Sequence, residues 1–212
     1  MPRGHRDALL AAARVLLRRR GLRATTARDL VEESGTNLAS IGYHFGSKDA
    51  LMATALAGAC AEWTARPNAA AAAATGRAGD EPGDALLAAI RAMLGDLTER
   101  RSEILAFTEG VVAHGRGDVV GETLPASTEQ SLDAVAATMQ AAAPGLPAEL
   151  AGAGAAVVVA LHDGLAQMST LAPERVPEPD VVALVLAAFG AVLAPSLGVD
   201  PEQLRAIARG GS

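Results

Sequence analysis

The sequence predicts an all-α protein. Half of its residues are hydrophobic but only 2% are aromatic, and the abundance of alanine suits helices while leaving strands short of the residues they favour. No alternating apolar stretch leads into an Asn-Gly or Asp-Gly turn, the strongest short-range hairpin signal. Apolar residues instead recur at three- and four-residue spacing, the period of a helix with one buried face. A chain of 212 residues can build one large or two small domains.

Residues 2–7 form a basic lead-in, in which Arg3 and Arg6 either touch nucleic acid or belong to a frayed terminus. The first helix is expected from about Arg6 to Arg20, with Leu9, Ala13, Leu16 and Leu17 on its buried stripe. Arg18, Arg19 and Arg20 fill its last turn and Gly21 stops it. Cations there offset the helix dipole, so the cluster has a structural reading beside an electrostatic one.

The stretch from Thr25 to Leu51 organises the chain. Thr26 can cap a second helix, with Asp29 completing a capping box and Ala27, Leu30 and Val31 on one face. Gly35 ends that helix, where a positive φ is needed. Asn37 can cap a third helix, placing Leu38 and Ile41 inward and Ala39, Ser40, Tyr43 and His44 outward. Gly46 closes it, Ser47 caps a fourth helix, and Lys48 stands in that helix's first turn. Two helices joined by a short turn containing Gly form a helix-turn-helix.

These residues resemble the DNA-binding domain of the tetracycline-repressor (TetR) family of transcription regulators. The likeness rests on Thr25-Thr26, Gly35, the Tyr43-His44-Phe45 run and Ser47-Lys48 with Leu51, and covers roughly the first 55 residues. The rest matches only the plan of a variable helical body. Gly42 departs from the pattern, since many members carry an aromatic there. Gly inside a helix costs about 1 kcal/mol relative to Ala, so the third helix is either less rigid or able to approach DNA unusually closely. The resemblance implies a helix-turn-helix domain over residues 1–50 and a helical-bundle domain for effector binding and dimerisation over 51–212. It also implies that Thr26, Tyr43, His44 and Lys48 hold phosphates while outward positions of the third helix read base edges. Hydroxyl, imidazole and ammonium groups are all able to donate to phosphate oxygens. Asn37, Leu38, Ala39 and Ser40 are the base-reading candidates, the polar pair by hydrogen bonds and the apolar pair by contact with a thymine methyl. For Tyr43 a place in the core is the alternative; for Phe45 the core is the expected role.

Charge divides the chain in the same way. Residues 1–48 hold nine Arg or Lys against four acids, a net +5, whereas residues 49–212 hold nine against twenty, a net −11. A basic module on an acidic body fits a DNA-binding head, although a solvated helix face would read similarly. Lys48 is the chain's one lysine, which a generic cationic surface explains poorly.

The fourth helix is expected from Lys48 to about Arg66, ended by Pro67, with a low-complexity, loop-like segment over Asn68–Gly83. Further helices are expected from Asp84 to about Arg100, from Ser102 to about His114, from about Pro125 to Ala142, from about Pro147 to Leu171 and from Asp180 to about Leu197. The last two are apolar nearly all round, which suits burial between subunits better than a surface. The apolar run Val181–Leu197 contains Gly190 and Pro195 and sits at the short end of the transmembrane range, so a cytoplasmic protein without membrane contact is expected.

One cysteine, Cys60, excludes an internal disulfide. Four scattered histidines show no metal spacing, and no metal or cofactor is expected. Neither a Gly-x-Ser-x-Gly elbow nor a phosphate loop is present, so the chain does not read as an enzyme, and no catalytic residue is assigned. For the body, Trp63, Met93, Phe107, Glu109, Met139 and His162 are candidates for lining an apolar effector pocket with a few polar anchors; the alternative is that they fill a solid core. The expected function is a homodimeric repressor that binds a near-palindromic site on double-stranded DNA and is released by a small lipophilic or aromatic molecule. The alternative is an effector-independent DNA-binding protein whose body only dimerises.

Overall fold

The computed structural model describes residues 4–75, 82–95, 97, 100–122, 124–198, 200 and 202. Among these every regular element is helical: α1 (His5–Arg20), α2 (Ala27–Ser34), α3 (Leu38–Phe45), α4 (Lys48–Thr75), α5 (Pro82–Leu94), α6 (Arg101–Gly115), α7 (Leu124–Ala142), α8 (Ala148–Leu171) and α9 (Pro179–Ser196), with single 3₁₀ turns at Val119–Gly121 and Pro173–Arg175. The chain forms two compact units, residues 1–64 with 100–128, and residues 65–99 with 129–212.

The first unit has one apolar core. Leu9, Ala13, Leu16 and Leu17 of α1 meet Leu30 of α2, Ile41 of α3 and Leu51, Met52, Leu56 and Cys60 of α4, with Ala106 and Ala113 of α6 and Leu124 closing it. The expected α1 stripe is therefore the buried one. Gly110 of α6 is buried in this packing: a Cβ there would stand 2.9 Å from Leu56 Cδ2 and 3.3 Å from Leu124 Cδ1. A side chain there would require Leu56 or Leu124 to give way.

Two helix boundaries differ from the sequence reading. Pro67 does not end α4, which continues to Thr75; of the segment expected to loop, Asn68–Thr75 is helical and 76–81 lie outside the described residues. Proline at this position removes the N–H that would bond the Trp63 carbonyl. That carbonyl instead accepts from Arg100 Nη2 at 3.5 Å, and the Arg100 guanidinium lies 4.3 Å from the centre of the Trp63 ring. A long-range donor thus compensates the missing helical bond. The fifth helix likewise stops at Leu94 rather than running to Arg100. Arg100 has non-helical backbone angles and caps α6, its carbonyl accepting from the Glu103 and Ile104 amides.

In the second unit α5 packs against α9. Arg91 donates from Nε and Nη2 to the two carboxylate oxygens of Asp180, at 2.6 and 2.8 Å. This two-pronged hydrogen bond holds the Asp180 carboxyl below the usual carboxylate range. Ala151, Ala155, His162, Leu165, Ala166 and Ser169 form the buried stripe of α8, and only Val182 and Ala194 are buried on α9. Both helices are long and apolar enough to cross a bilayer. His162 and Asp163 sit mid-way along α8, where a bilayer would make them costly.

Placing a valine at Gly110 forces its side chain into Leu56 and Leu124. Gly110→Val is expected to destabilise the protein by about 1–3 kcal/mol, the usual range for overpacking, read as a lower urea midpoint. An unchanged midpoint would show that α6 can retreat at no cost.

Candidate nucleic-acid interface

The site is built from the connection between α1 and α2 and from α3. Thr26 caps α2: its Oγ1 accepts from the Asp29 amide at 3.2 Å, and its own amide and hydroxyl donate to Asp29 Oδ2 at 2.9 and 2.7 Å. The expected capping box is present. Both of Thr26's donors are thereby engaged inside the protein. Arg20 of α1 donates to the other Asp29 oxygen. The hydrogen bonds from Thr26, then that from Arg20, hold the Asp29 carboxyl at about 2.

Arg19 pairs with Glu33 at 3.1 Å, so Arg19 and Arg20 bind α1 to α2, a structural role beyond the helix-end one expected of the cluster. Exposed Arg23 and Arg28 have no ion pair among the described residues. They were not singled out from the sequence. Arg28 enters α2 at its N-terminal turn, and only the +5 excess of the first 48 residues hinted at surplus cations there. Arg3 lies outside the described residues; Arg6 holds its guanidinium 5.4 Å from the centre of the Phe45 ring, within cation–π range.

The third helix is phased differently from the expectation at two positions. Leu38 is 62% exposed instead of inward, and Ser40 is only 8% exposed instead of outward. The cap explains the phase. Asn37 Oδ1 accepts from the Ser40 amide at 3.0 Å and from its hydroxyl at 3.2 Å, turning Ser40 beneath the cap. Ser40 Oγ and His5 Nδ1 also share a hydrogen bond of 3.2 Å, joining α3 to α1. Leu38 lies about 160° around the helix from Ser40, so turning Ser40 inward carries Leu38 to the exposed side. Asn37 and Ala39 are exposed. Tyr43 is 86% exposed, which excludes the core as its place, and its ring meets His44 edge-on at 4.9 Å. Phe45 is half-buried against the core, as expected. Gly46 (φ 78°) and Gly35 (φ 65°) end α3 and α2 in the positive-φ region.

Lys48 lies in the first turn of α4, half-buried. Its Nζ donates to the Thr25 carbonyl at 3.4 Å and pairs with Asp49 at 3.1 Å. Thr25 itself is buried and donates from Oγ1 to the Gly21 carbonyl at 2.8 Å. Thr26 and Lys48 are therefore brought together at the start of α2, while Asn37, Leu38, Ala39 and Tyr43 share the exposed side of α3.

The six pocket candidates fall on α4 (Trp63), α5 (Met93), α6 (Phe107 and Glu109), α7 (Met139) and α8 (His162). Trp63 is buried between Arg100 and Phe107, whose ring stacks on it at 6.4 Å. Glu109, expected to anchor a ligand, accepts a hydrogen bond from the Leu22 amide, next to Gly21. Met93 is buried. The Met139 thioether fits over Gly154, where a Cβ would lie 2.6 Å from Met139 Cε. His162 is buried, with Nδ1 3.2 Å from Asp163 Oδ1. A shallow groove lies between α1, α4 and α6 and is lined by Arg14, Leu17, Arg18, Ala59, Glu62 and Glu103 among others. None of the six candidates lines it, and its lining mixes charged residues with Leu17, Ala59 and Ala106. Among the described residues no three His, Cys, Asp or Glu side chains group as metal ligands.

Residues 9–55 match the family model of bacterial regulatory proteins of the tetR family. Solved structures share the fold. A transcriptional regulator from Pseudomonas aeruginosa PAO1 is 22% identical, with 89% of each chain covered and a TM-score of 0.65. A TetR-family regulator from a Rhodococcus species is also 22% identical, covering 87% of this chain and 97% of the other, with a TM-score of 0.64. The multidrug binding protein EbrR, solved with imidazole, is 24% identical over 88% and 94% of the two chains, with a TM-score of 0.61. No curated protein matches the chain.

The low Asp29 pKa carries a pH signature. A carboxyl depressed in the folded state stabilises above its unfolded pKa, near about 4, and that contribution is lost as pH falls through the folded value. The stability difference between the native protein and Asp29→Asn is expected to hold above about pH 4 and to shrink towards zero by about pH 2, measured by thermal melts across that range. A difference independent of pH would remove Asp29 from this role. Thr26→Ala should cost about 1 kcal/mol through loss of the cap, in the same melts.

Proposed function

We propose that this chain, a TetR-family DNA-binding transcriptional regulator by its head, is a dimeric repressor whose affinity for an operator is set by a small molecule bound in the body. The observation that carries the DNA-contact assignment is the exposed side of α3, with Tyr43 standing out at 86% exposure on the net-positive head. In this reading Tyr43 and His44 hold phosphates on one side of the groove. Lys48, with a third N–H beyond its two internal bonds, and the unpaired Arg23 and Arg28 add cationic contacts. Thr26 contributes through the cap it builds, since its own donors are used within it. The start of α2 supplies the Ala27 and Arg28 amides, which no carbonyl within the helix can reach. Asn37, Leu38 and Ala39 face the bases, and Ser40 supports them from beneath. We place the functional division at residues 50 and 51, head against regulatory body.

Dimerisation through residues 148–196 is supported by the apolar surface of α9, where Leu184, Phe189 and Val192 are each more than 60% exposed. Soluble monomers rarely tolerate such a patch, and a two-fold dimer matches a near-palindromic site. A cytoplasmic location follows from this role. Effector release is supported by fold likeness to a multidrug binding protein. For release to follow, the ligand must prefer the conformation that binds DNA less well. The packing roles of Trp63, Phe107 and Glu109 favour the second reading, an effector-independent regulator whose body only dimerises. A lipophilic or aromatic compound that changes Trp63 fluorescence and lowers operator affinity would decide for the first.

Two experiments test the core of this reading. Lys48→Ala should weaken binding to all DNA sequences alike and reduce the salt slope by about one unit, measured by fluorescence anisotropy from low to moderate salt. A changed base preference with an intact slope would refute the phosphate role. Phe189→Arg should convert the protein to monomer or aggregate in light scattering, whereas a well-behaved monomer of the unaltered chain would refute the interface.

A further inference from the structure

Leu38, Gly42, Ala39 and Tyr43 follow one another around the outward arc of α3, since successive residues turn by roughly 100°. All four are exposed, and the inward arc belongs to Ser40 and Ile41. The centre of that face, Leu38, Gly42 and Ala39, has no side-chain hydrogen-bonding group. From Asn37 to Ser47 the chain contains no Arg, Lys, Gln, Asp or Glu. The bidentate partner of guanine is thus absent. The bidentate partner of adenine needs both ends of an amide, and Asn37 has its carbonyl end committed to Ser40 twice. Only its Nδ2 hydrogens remain, and every base pair offers an acceptor in the major groove, so they discriminate weakly. Nothing lies within 4 Å of a Cβ built at Gly42, so the middle of the face is an open, low-profile surface flanked by one isobutyl group.

We propose that α3 identifies its operator chiefly by the C5-methyl groups of thymines, with Leu38 and Ala39 as the methyl-reading residues and Gly42 as the position that lets the helix backbone come near the base edges. This rests on the reading of α3 as the element that enters the major groove. The chemistry is complementary in both directions. A thymine methyl against Leu38 removes apolar surface from water on both sides. A guanine or cytosine edge in the same place loses its water and finds no replacement hydrogen bond. The base step under Leu38 and Ala39 therefore carries A·T pairs in a fixed orientation, with the methyl towards the helix.

Deoxyuridine tests this without disturbing pairing, because it differs from thymidine only by that methyl. On an operator selected from random DNA, each thymine is replaced in turn and affinity is measured with the unaltered protein. Replacement at one or two thymines per half-site should weaken binding about three- to tenfold, the scale of one buried methyl group, with the salt slope unchanged. Replacing such a T·A pair by C·G should weaken binding further, and 5-methylcytosine in that pair should recover part of the loss. In Leu38→Ala, whose side chain is exposed and whose fold is checked by its melting temperature, the deoxyuridine effect should disappear at one position. Affinity within twofold at every deoxyuridine, with sequence-selective and salt-dependent binding intact, would overturn methyl reading and leave the DNA-binding role standing. A protein that shows no sequence-selective binding at all would overturn that role, and this inference with it.

Discussion

Six residues, Gly21 to Thr26, connect α1 to α2, and a connection so short has to find partners for its own backbone groups outside regular structure. Side chains of three helices supply them. Glu109 of α6 accepts from the Leu22 amide, Lys48 of α4 donates to the Thr25 carbonyl, Asp29 of α2 accepts from the Thr26 amide, and Arg20 of α1 reaches the same carboxylate. Gly21, at φ 80°, is the hinge point, and Glu109 stands so close that a side chain there would collide with its carboxylate. The angle between α1 and α2 is therefore fixed by polar bonds at one end and by the shared apolar core at the other. Through Ile41 and the Ser40–His5 bond, α3 inherits its orientation from the same frame.

That arrangement makes α6 part of the head's own core although it lies some fifty residues further along the chain. A shift of α6 along its axis would move Glu109 against the Leu22 amide and Gly110 against Leu56 at once. Packed cores respond to such shifts by changing state rather than by deforming smoothly. A displacement of α6 would thereby be felt at the connection between α1 and α2 and, through the shared core, at α3.

Much of the head was legible in the sequence because its signals are local. Thr26 with Asp29, Gly35 and Gly46 state their structural roles within four residues, and each is found in that role. The phase of α3 was not legible. In an eight-residue helix, Leu38 and Ile41 present a plausible apolar pair, and only the double use of Asn37 Oδ1 turns Ser40 in and Leu38 out. Pro67 misled for a related reason: the rule that proline ends a helix assumes that the stranded carbonyl finds no donor, and the donor here is Arg100, far away in sequence. Arg23 and Arg28 could not be separated from Arg19 and Arg20 before their acidic partners on α2 were located. Glu109 read as an isolated polar point in an apolar helix because the Leu22 amide is 87 positions distant.

Cys60, the chain's single thiol, lies in the core of the first unit with 1% of its surface exposed. A thiol reagent in solution can reach it only when α4 separates from α1 and α6, so its labelling rate counts those openings directly. Openings of this kind range in free energy from near zero to the full stability of the fold. The chain thus carries a built-in clock for the breathing of the core that positions α3, one that needs no engineered probe.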